Sequence, residues 1–274
     1  LRVRFFLTAC GLAVLLAQFR AHANEPIMNM MPRWSGGWGY EFHYEYRTED
    51  DLLMGSEALY KDFQEEVEVL HIEGVYTWKK EIRITAKLPI VLNAEREMPD
   101  GSGGKIIQKD DGLGDLTLAL PLKKYFNLDG KSGSWTFKPM VRIPLSDKDE
   151  YDFYYKEFGT GLGAGYEFET ANFYFGIGSG WWIFHGDRPA ELHSSVDFGY
   201  NFETQKANGS VFWETDMHYE DDESKTLSTG PAFYFNHNDT IHSRIEWKFD
   251  LFDHQGILDH GNGDMFKVGI GWVF

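Results

Sequence analysis

The side chains best suited to covalent chemistry are a histidine and two serines that follow one another in the sequence. His193, Ser194 and Ser195 lie in a segment of alternating polarity. A histidine within hydrogen-bond reach of a serine can activate it as a nucleophile, which would make the protein a hydrolase. If the segment is a β-strand, however, His193 and Ser195 share one face and Ser194 points to the other. We find no nucleophile, base and orienting residue together, and we predict no catalytic residue and no enzymatic activity.

A larger set of charged side chains recurs at alternate positions of many segments, with apolar residues between them. Because successive side chains of a strand point to opposite faces, the charged residues share one face and the apolar residues the other. An inward face with charges of both signs would form a polar lumen. Its charged side chains would either contact a passing solute or fill the lumen with salt bridges. These lumen or solute-path candidates are Glu41, His43, Arg83, Lys87, Asp115, Lys138, Arg142, Asp197, Glu214, Arg244, Glu246 and Lys248.

The strands that must position these residues are recognised by their length and their aromatic ends. In the last one, the alternating apolar side chains are Phe266, Val268, Ile270, Trp272 and Phe274. Segments of about ten residues with rings at both ends are typical of transmembrane β-strands. We predict twelve, at residues 37–47, 65–78, 80–92, 112–125, 134–145, 157–169, 172–184, 191–203, 208–219, 226–236, 240–252 and 263–274. The predicted fold is all-β, a transmembrane antiparallel up-and-down β-barrel of about 12 strands over residues 36–274.

The residues before the barrel have the pattern of an export signal. Arg2 and Arg4 precede an apolar run over 5–18 and the small-residue sequence Ala21-His22-Ala23, which together predict a secretory signal peptide over residues 1–23. The run is too short to span a bilayer as a helix. Residues 24–35 then form an N-terminal periplasmic segment or a plug of the barrel. An exported barrel is expected in the bacterial outer membrane of a Gram-negative organism.

Charge and loop pattern indicate the partners and the orientation. The net charge of −17 argues against nucleic acid as a partner. Long acidic loops are predicted at 48–64, 93–111, 146–156 and 253–262, and because short turns are typical of the periplasmic side, these loops face outside. The predicted partners are outer-membrane lipids, small organic solutes, and the outer-membrane assembly machinery through the C-terminal strand ending at Phe274.

Two local patterns predict departures from a regular barrel. In the second strand, Val67 and Val69 compete with Leu70 and Ile72 for the same face, which predicts a bulge or register break. Two neighbouring strands carry lumenal glycines, which would leave one wall without bulk and favour a usable space there, although glycine also relieves crowding where strands curve. These glycines are Gly159, Gly161, Gly163, Gly165, Gly176, Gly178 and Gly180.

One segment carries a family resemblance. The sequence Gly112-Leu113-Gly114-Asp115-Leu116-Thr117-Leu118, followed by Lys123-Lys124-Tyr125-Phe126, resembles the outer-membrane barrel family named for the putative meta-pathway of phenol degradation. The resemblance extends to Thr85-Ala86-Lys87-Leu88-Pro89, the glycine-rich strand pair and the terminal aromatic. It implies an outer-membrane barrel that handles small compounds, aromatic ones among them, and supplies no catalytic residues. It singles out Asp115, which either contacts a solute hydroxyl or a lumen arginine, or anchors the start of its strand.

The function that follows is an outer-membrane channel or transporter for small organic solutes of aromatic or hydrophobic character. The alternative is a closed barrel with a structural or adhesive role through its acidic extracellular loops. An outer-membrane lipid hydrolase fits less well, because its catalytic pair must lie on the lipid-facing wall, where alternation places Ser194 but not His193. No cofactor and no metal site is predicted. A filled lumen would favour the closed barrel, and a continuous path past the glycines would favour transport.

Overall fold

The computed structural model describes residues 36–54, 57–99, 104–128, 131–146, 154, 156–170, 172–203, 208–221, 224–255 and 258–274. The predicted signal peptide at 1–23 and the segment at 24–35 lie outside these ranges. Within them, no helix has the length and apolarity that a membrane span requires.

Twelve antiparallel strands build the protein, as the alternation predicts. Their bounds are β1 Gly37–Met54, β2 Glu57–Lys79, β3 Ile82–Pro99, β4 in three segments (Lys105–Leu113, Leu116–Ala119 and Leu122–Leu128), β5 Lys131–Ile143, β6 Gly159–Glu169, β7 Phe173–Phe184, β8 Glu191–Glu203, β9 Asn208–Glu220, β10 Lys225–Asn236, β11 Ile241–Gln255 and β12 Leu258–Val273. Each strand pairs with its neighbours in the sequence, so the topology is up-and-down.

The sheet closes because the first strand pairs with the last. Tyr44 on β1 lies opposite Val268 on β12. At the end of the seam, the backbone N–H of Trp38 donates to the carbonyl of Phe274 over 3.2 Å, and the N–H of Phe274 donates back over 2.8 Å. Closure leaves no open edge along this seam, and a sheet exposed to lipid could not tolerate such an edge.

The two faces of the sheet differ as the alternation predicts. Trp38, Ile177 and Trp247 are about half exposed on the outer face, where the surrounding medium is lipid rather than water. Glu41 and Ser134, by contrast, are fully buried in the interior. The barrel therefore has an apolar belt outside and a polar interior.

The bulge predicted for β2 lies instead in the facing strand β3. Glu68 pairs with Asn93 and Val69 pairs with Val91, which leaves Leu92 as the bulge. Strand β2 itself stays in register with β1 here. Val67 and Val69 both turn inward, where they form a small apolar cluster with Val91 and Ala94, and Tyr154 packs against it.

The predicted loops at 48–64, 93–111 and 253–262 are wrong, because strands occupy most of these residues. Hairpins β1–β2, β3–β4 and β11–β12 all extend into them. Backbone pairing does not depend on the polarity of the side chains, and cross-strand ion pairs support it. Arg96 contacts Glu65 at 2.6 Å and Lys105 contacts Glu97 at 2.6 Å. The acidic segments are thus in large part continuations of the barrel wall.

Closure gives a direct test of register. Because Cys10 is the only cysteine of the chain, a Cys10→Ser background makes engineered pairs unambiguous. Tyr44→Cys with Val268→Cys should form an interstrand disulfide, since directly opposite residues meet its geometry. The diagonal pair Tyr44→Cys with Phe266→Cys, about 7–8 Å apart, should oxidise poorly. Non-reducing electrophoresis measures both, and equal oxidation of the two pairs would contradict the register.

The two faces of β8 should respond oppositely to charge. Val196 lies on the outer face and Ser195 on the inner one. Val196→Lys should lower the free energy of unfolding by about 2–4 kcal/mol, because it places an ammonium in hydrocarbon near the bilayer midplane. Ser195→Lys should cost much less, since its ammonium enters a polar interior with Asp197 nearby. Guanidinium unfolding in lipid vesicles followed by tryptophan fluorescence measures both, and a similar cost for both would refute the assignment of faces.

Candidate functional site

The interior holds a cavity of about 1040 Å³ that the predicted charged residues largely define. Nine of the twelve predicted residues line it: His43, Arg83, Lys87, Lys138, Asp197, Glu214, Arg244, Glu246 and Lys248. The lining extends from Glu65 and Asp253, near the long-hairpin end, to Lys123 and Glu167. Both Gly37 and Val273 lie at the opposite, short-turn end, which is the periplasmic end in barrels of this kind. Because Lys123, Glu167 and Tyr174 lie within a few residues of the short turns, the cavity reaches from the extracellular half towards the periplasmic ends of β4, β6 and β7.

The remaining three predicted residues lie inside the barrel but do not line the cavity. Glu41 is enclosed between His43 and His242, each with its Nε2 atom 3.4 Å from the Glu41 carboxylate. Asp115 is buried at the break between two segments of β4, and its carboxylate interacts electrostatically with Arg142. Arg142 lies against aromatic rings. Neighbouring side chains cover all three, which alternation alone does not reveal.

One wall of the cavity is occupied by an ion-pair network across β9, β10 and β11. The Arg244 side chain contacts Glu214 on β9, and its Nε atom lies 2.7 Å from Glu246 on its own strand. The Lys248 ammonium lies 3.1 Å from Glu214 and also contacts Asp216. These contacts hold long side chains along the wall, so that the network narrows the lumen without blocking its centre.

A second polar layer fills the interior at the periplasmic end. Asn201 donates to Glu169 over 2.8 Å and accepts from Ser210 over 2.7 Å. Ser134 donates to Glu167 over 2.6 Å, and Tyr234 stacks on His242. All these side chains are buried. These side chains narrow the interior at the periplasmic ends of the strands that carry them.

The glycine wall is least closely covered in its middle. A methyl group added at Gly165, Gly178 or Gly180 would come no closer than 3.3 Å to another atom, whereas one added at the other glycines of this wall would come within 3.0 Å of a side chain. At both ends rings cover the glycines: Phe184 lies over Gly159, Trp182 over Gly161 and Tyr174 over Gly176. The lysine side chain of Lys138 crosses Gly163. The predicted wall without bulk is thus a short gap framed by aromatic side chains and a cation. We call Gly165, Gly178 and Gly180 the glycine gap.

An aromatic shelf adjoins the glycine gap on the extracellular side. Trp182 and Phe184 stack with their ring centroids 6.5 Å apart. The Arg142 guanidinium lies 4.7 Å from the Trp182 ring and 5.1 Å from the Phe184 ring, a cation–π arrangement. Neither ring is among the site residues predicted from the sequence, because those residues were chosen for their charge. The signal was available, since Trp182 and Phe184 share the alternating face of Gly178 and Gly180.

The predicted separation of histidine and serine is confirmed. The Ser194 hydroxyl lies on the outer face, 3.0 Å from that of Ser179. The His193 ring points inward, where its Nε2 lies 3.0 Å from Glu191 and its face stacks on His218. His193 is therefore engaged with interior groups, across the wall from Ser194.

Comparisons with known proteins agree with this architecture. The fold matches the crystal structure of an outer membrane channel from Pseudomonas putida F1 with a TM-score of 0.70 at 14% identity, covering 92% of this chain and 100% of that one. The NanC porin aligns with a TM-score of 0.49 at 10% identity, over 85% of this chain and 98% of its own. No curated protein matches the sequence.

The localisation follows from the fold and its surface. A closed barrel with an apolar outer belt and paired termini is the architecture of bacterial outer-membrane proteins. The model of one protein family, described as the putative MetA-pathway of phenol degradation, matches residues 54–251. Because this match covers well over half of the chain, the protein belongs to that family of outer-membrane barrels.

Proposed function

We propose that the protein is a channel that admits small organic solutes from the extracellular side of the outer membrane. The observation that carries the proposal is the cavity of about 1040 Å³ along the glycine gap. A barrel that served only as a membrane anchor would gain stability by filling this space with side chains. The related architecture in Pseudomonas putida also belongs to an outer membrane channel.

The lining favours solutes that combine a ring with a polar or anionic group. The Trp182 ring lines the cavity, and Lys138 supplies positive charge beside Gly163. A glycine surface lets a flat molecule approach the backbone closely. The acidic and basic groups of the network on β9–β11 largely neutralise one another, so the wall is not a filter for ions of one sign. Small aromatic carboxylates satisfy all three features.

The second candidate function is that of a closed barrel with a structural or adhesive role through its acidic extracellular loops, and a specific observation favours it. The buried layer around Asn201, Glu169 and Tyr234 leaves little room at the periplasmic end. Under our proposal, rearrangement of this layer admits the solute to the periplasm. We do not assign an enzymatic role, because the ring of His193 is held by Glu191 and His218.

The chain termini complete the proposal. Residues 1–23 would direct export, and residues 24–35 would precede the barrel as a periplasmic or plug segment. Phe274 is 70% exposed at the closing seam, where the outer-membrane assembly machinery could bind it. Outer-membrane lipids surround the apolar belt.

Conductance tests the channel directly. Gly178→Leu should lower the single-channel conductance of the folded protein in a planar bilayer, because its side chain fills the glycine gap. Ser179→Leu adds the same side chain to the outer face of the same strand and should leave the conductance unchanged. A silent bilayer with correctly folded wild-type protein would favour the closed barrel. Equal effects of the two variants would show that the conducting path does not run past the glycine gap.

Solute preference tests the aromatic shelf. Benzoate and cyclohexanecarboxylate have similar size and charge, but only benzoate can stack. Stacking contributes about 0.5–1.5 kcal/mol, so reversal potentials should give an approximately two- to tenfold higher permeability for benzoate. Trp182→Leu should reduce this ratio towards one, while Trp181→Leu on the outer face should not. A ratio of one in the wild type would refute the aromatic preference and leave the channel itself untouched.

A further inference from the structure

Four potential metal ligands form a compact array at the extracellular end of β8 and β9. Glu191 pairs with Glu220 across the two strands, and His193 pairs with His218. All four lie on the inner face, because the members of each strand are two residues apart. Residues 193 and 218 are far apart in sequence, so the array exists only through the pairing of the strands. The channel proposal makes no use of it.

The ligand atoms converge. The Nε2 atom of His193 lies 3.0 Å from Glu191, and that of His218 lies 3.3 Å from Glu220. The two imidazole rings stack with their centroids 4.1 Å apart. One ligand atom each from Glu191, His193 and His218 lie within 4.8 Å of one another. Each imidazole therefore directs a nitrogen towards the carboxylate of its own strand, His193 towards Glu191 and His218 towards Glu220.

We propose that this array binds one divalent transition-metal ion of the Zn²⁺ class. Imidazole nitrogen and carboxylate oxygen are ligands that Zn²⁺ accepts, at about 2.0–2.2 Å, in a tetrahedral arrangement. Two imidazoles also select transition metals over Ca²⁺ and Mg²⁺, which prefer oxygen ligands. Small side-chain rotations bring the ligand atoms to these distances, while the two rigid strands fix their Cα positions. His193 and His218 both line the cavity, so an ion has access from it.

Two arginines contact the carboxylates of the array and influence its affinity for a metal ion. Arg188 contacts Glu191 and lies 3.7 Å from Glu220, and Arg142 lies 3.5 Å from Glu191. Ligating carboxylates are commonly hydrogen-bonded by such outer partners. The positive charge of the arginines opposes a cation, and the nearby acid Asp216 offsets part of it. Binding should therefore be reversible rather than structural.

The other ligand groups in the described ranges of the chain fit such an ion less well. On β1 and β2, Glu41 pairs with Glu73 and His43 with His71, but the ligand atom of only one imidazole, that of His43, converges with the two carboxylates, and the Lys87 ammonium lies 3.4 Å from Glu73. A third group contains only carboxylates. On β8 and β9 the ligand atoms of both imidazoles converge with Glu191.

Calorimetry with Zn²⁺ tests the proposal. The untagged, folded protein in detergent should give a saturable isotherm with one ion per chain. His193→Asn and His218→Asn should each weaken binding about tenfold or more, because each removes a ligand. His237→Asn is the matched control, since His237 lies in a periplasmic turn away from the array, where its ring contacts the Ser243 hydroxyl. Unchanged affinity in both ligand variants, or no saturable binding to the wild type, would overturn the assignment.

Electron paramagnetic resonance with Cu²⁺ gives an answer that does not require a variant to fold. Two imidazole ligands should produce hyperfine coupling to two nitrogens in the wild-type spectrum. Coupling to one nitrogen or to none would refute the paired-histidine site. Because neither measurement depends on solute passage, a failure of the metal site and a failure of the channel remain distinguishable.

Discussion

The constraint on which this structure depends is that hydrocarbon offers no partner to a backbone N–H or carbonyl. Every strand must therefore pair on both sides, and the only way to achieve this for all of them is to close the sheet. The seam between β1 and β12 fulfils the requirement, with Trp38 and Phe274 paired at its end. Once the sheet is closed, the strand pleat divides every segment into a lipid face and an interior face.

Because polar side chains are unfavourable on the lipid face, the interior has to accommodate them. In most of the barrel they neutralise one another. Arg244 and Lys248 each contact more than one acid, and Asn201 hydrogen-bonds to both Glu169 and Ser210. The cavity remains between these groups, and the glycine gap of β6 and β7 forms part of its wall.

The features with a functional interpretation share the extracellular half of this interior. The aromatic shelf of Trp182 and Phe184 adjoins the glycine gap, and Arg142 links the shelf to the His–Glu array by contacting both Trp182 and Glu191. A bound metal would consequently share the opening through which a solute enters. The periplasmic layer lies deeper and would be the last barrier on the path.

The sequence by itself determined the twelve strands, their two faces and the inward position of all the candidate charged residues, because the strand period of two is a local property of the chain. The family resemblance was likewise readable from one short segment and is now supported by residues 54–251. Tertiary structure decided what depends on register between strands: the rings over the glycines, the burial of Glu41 and Asp115, the extension of acidic hairpins beyond their predicted ends, and the meeting of His193 with His218. These contacts join residues distant in sequence, and no local pattern specifies which of them will be neighbours.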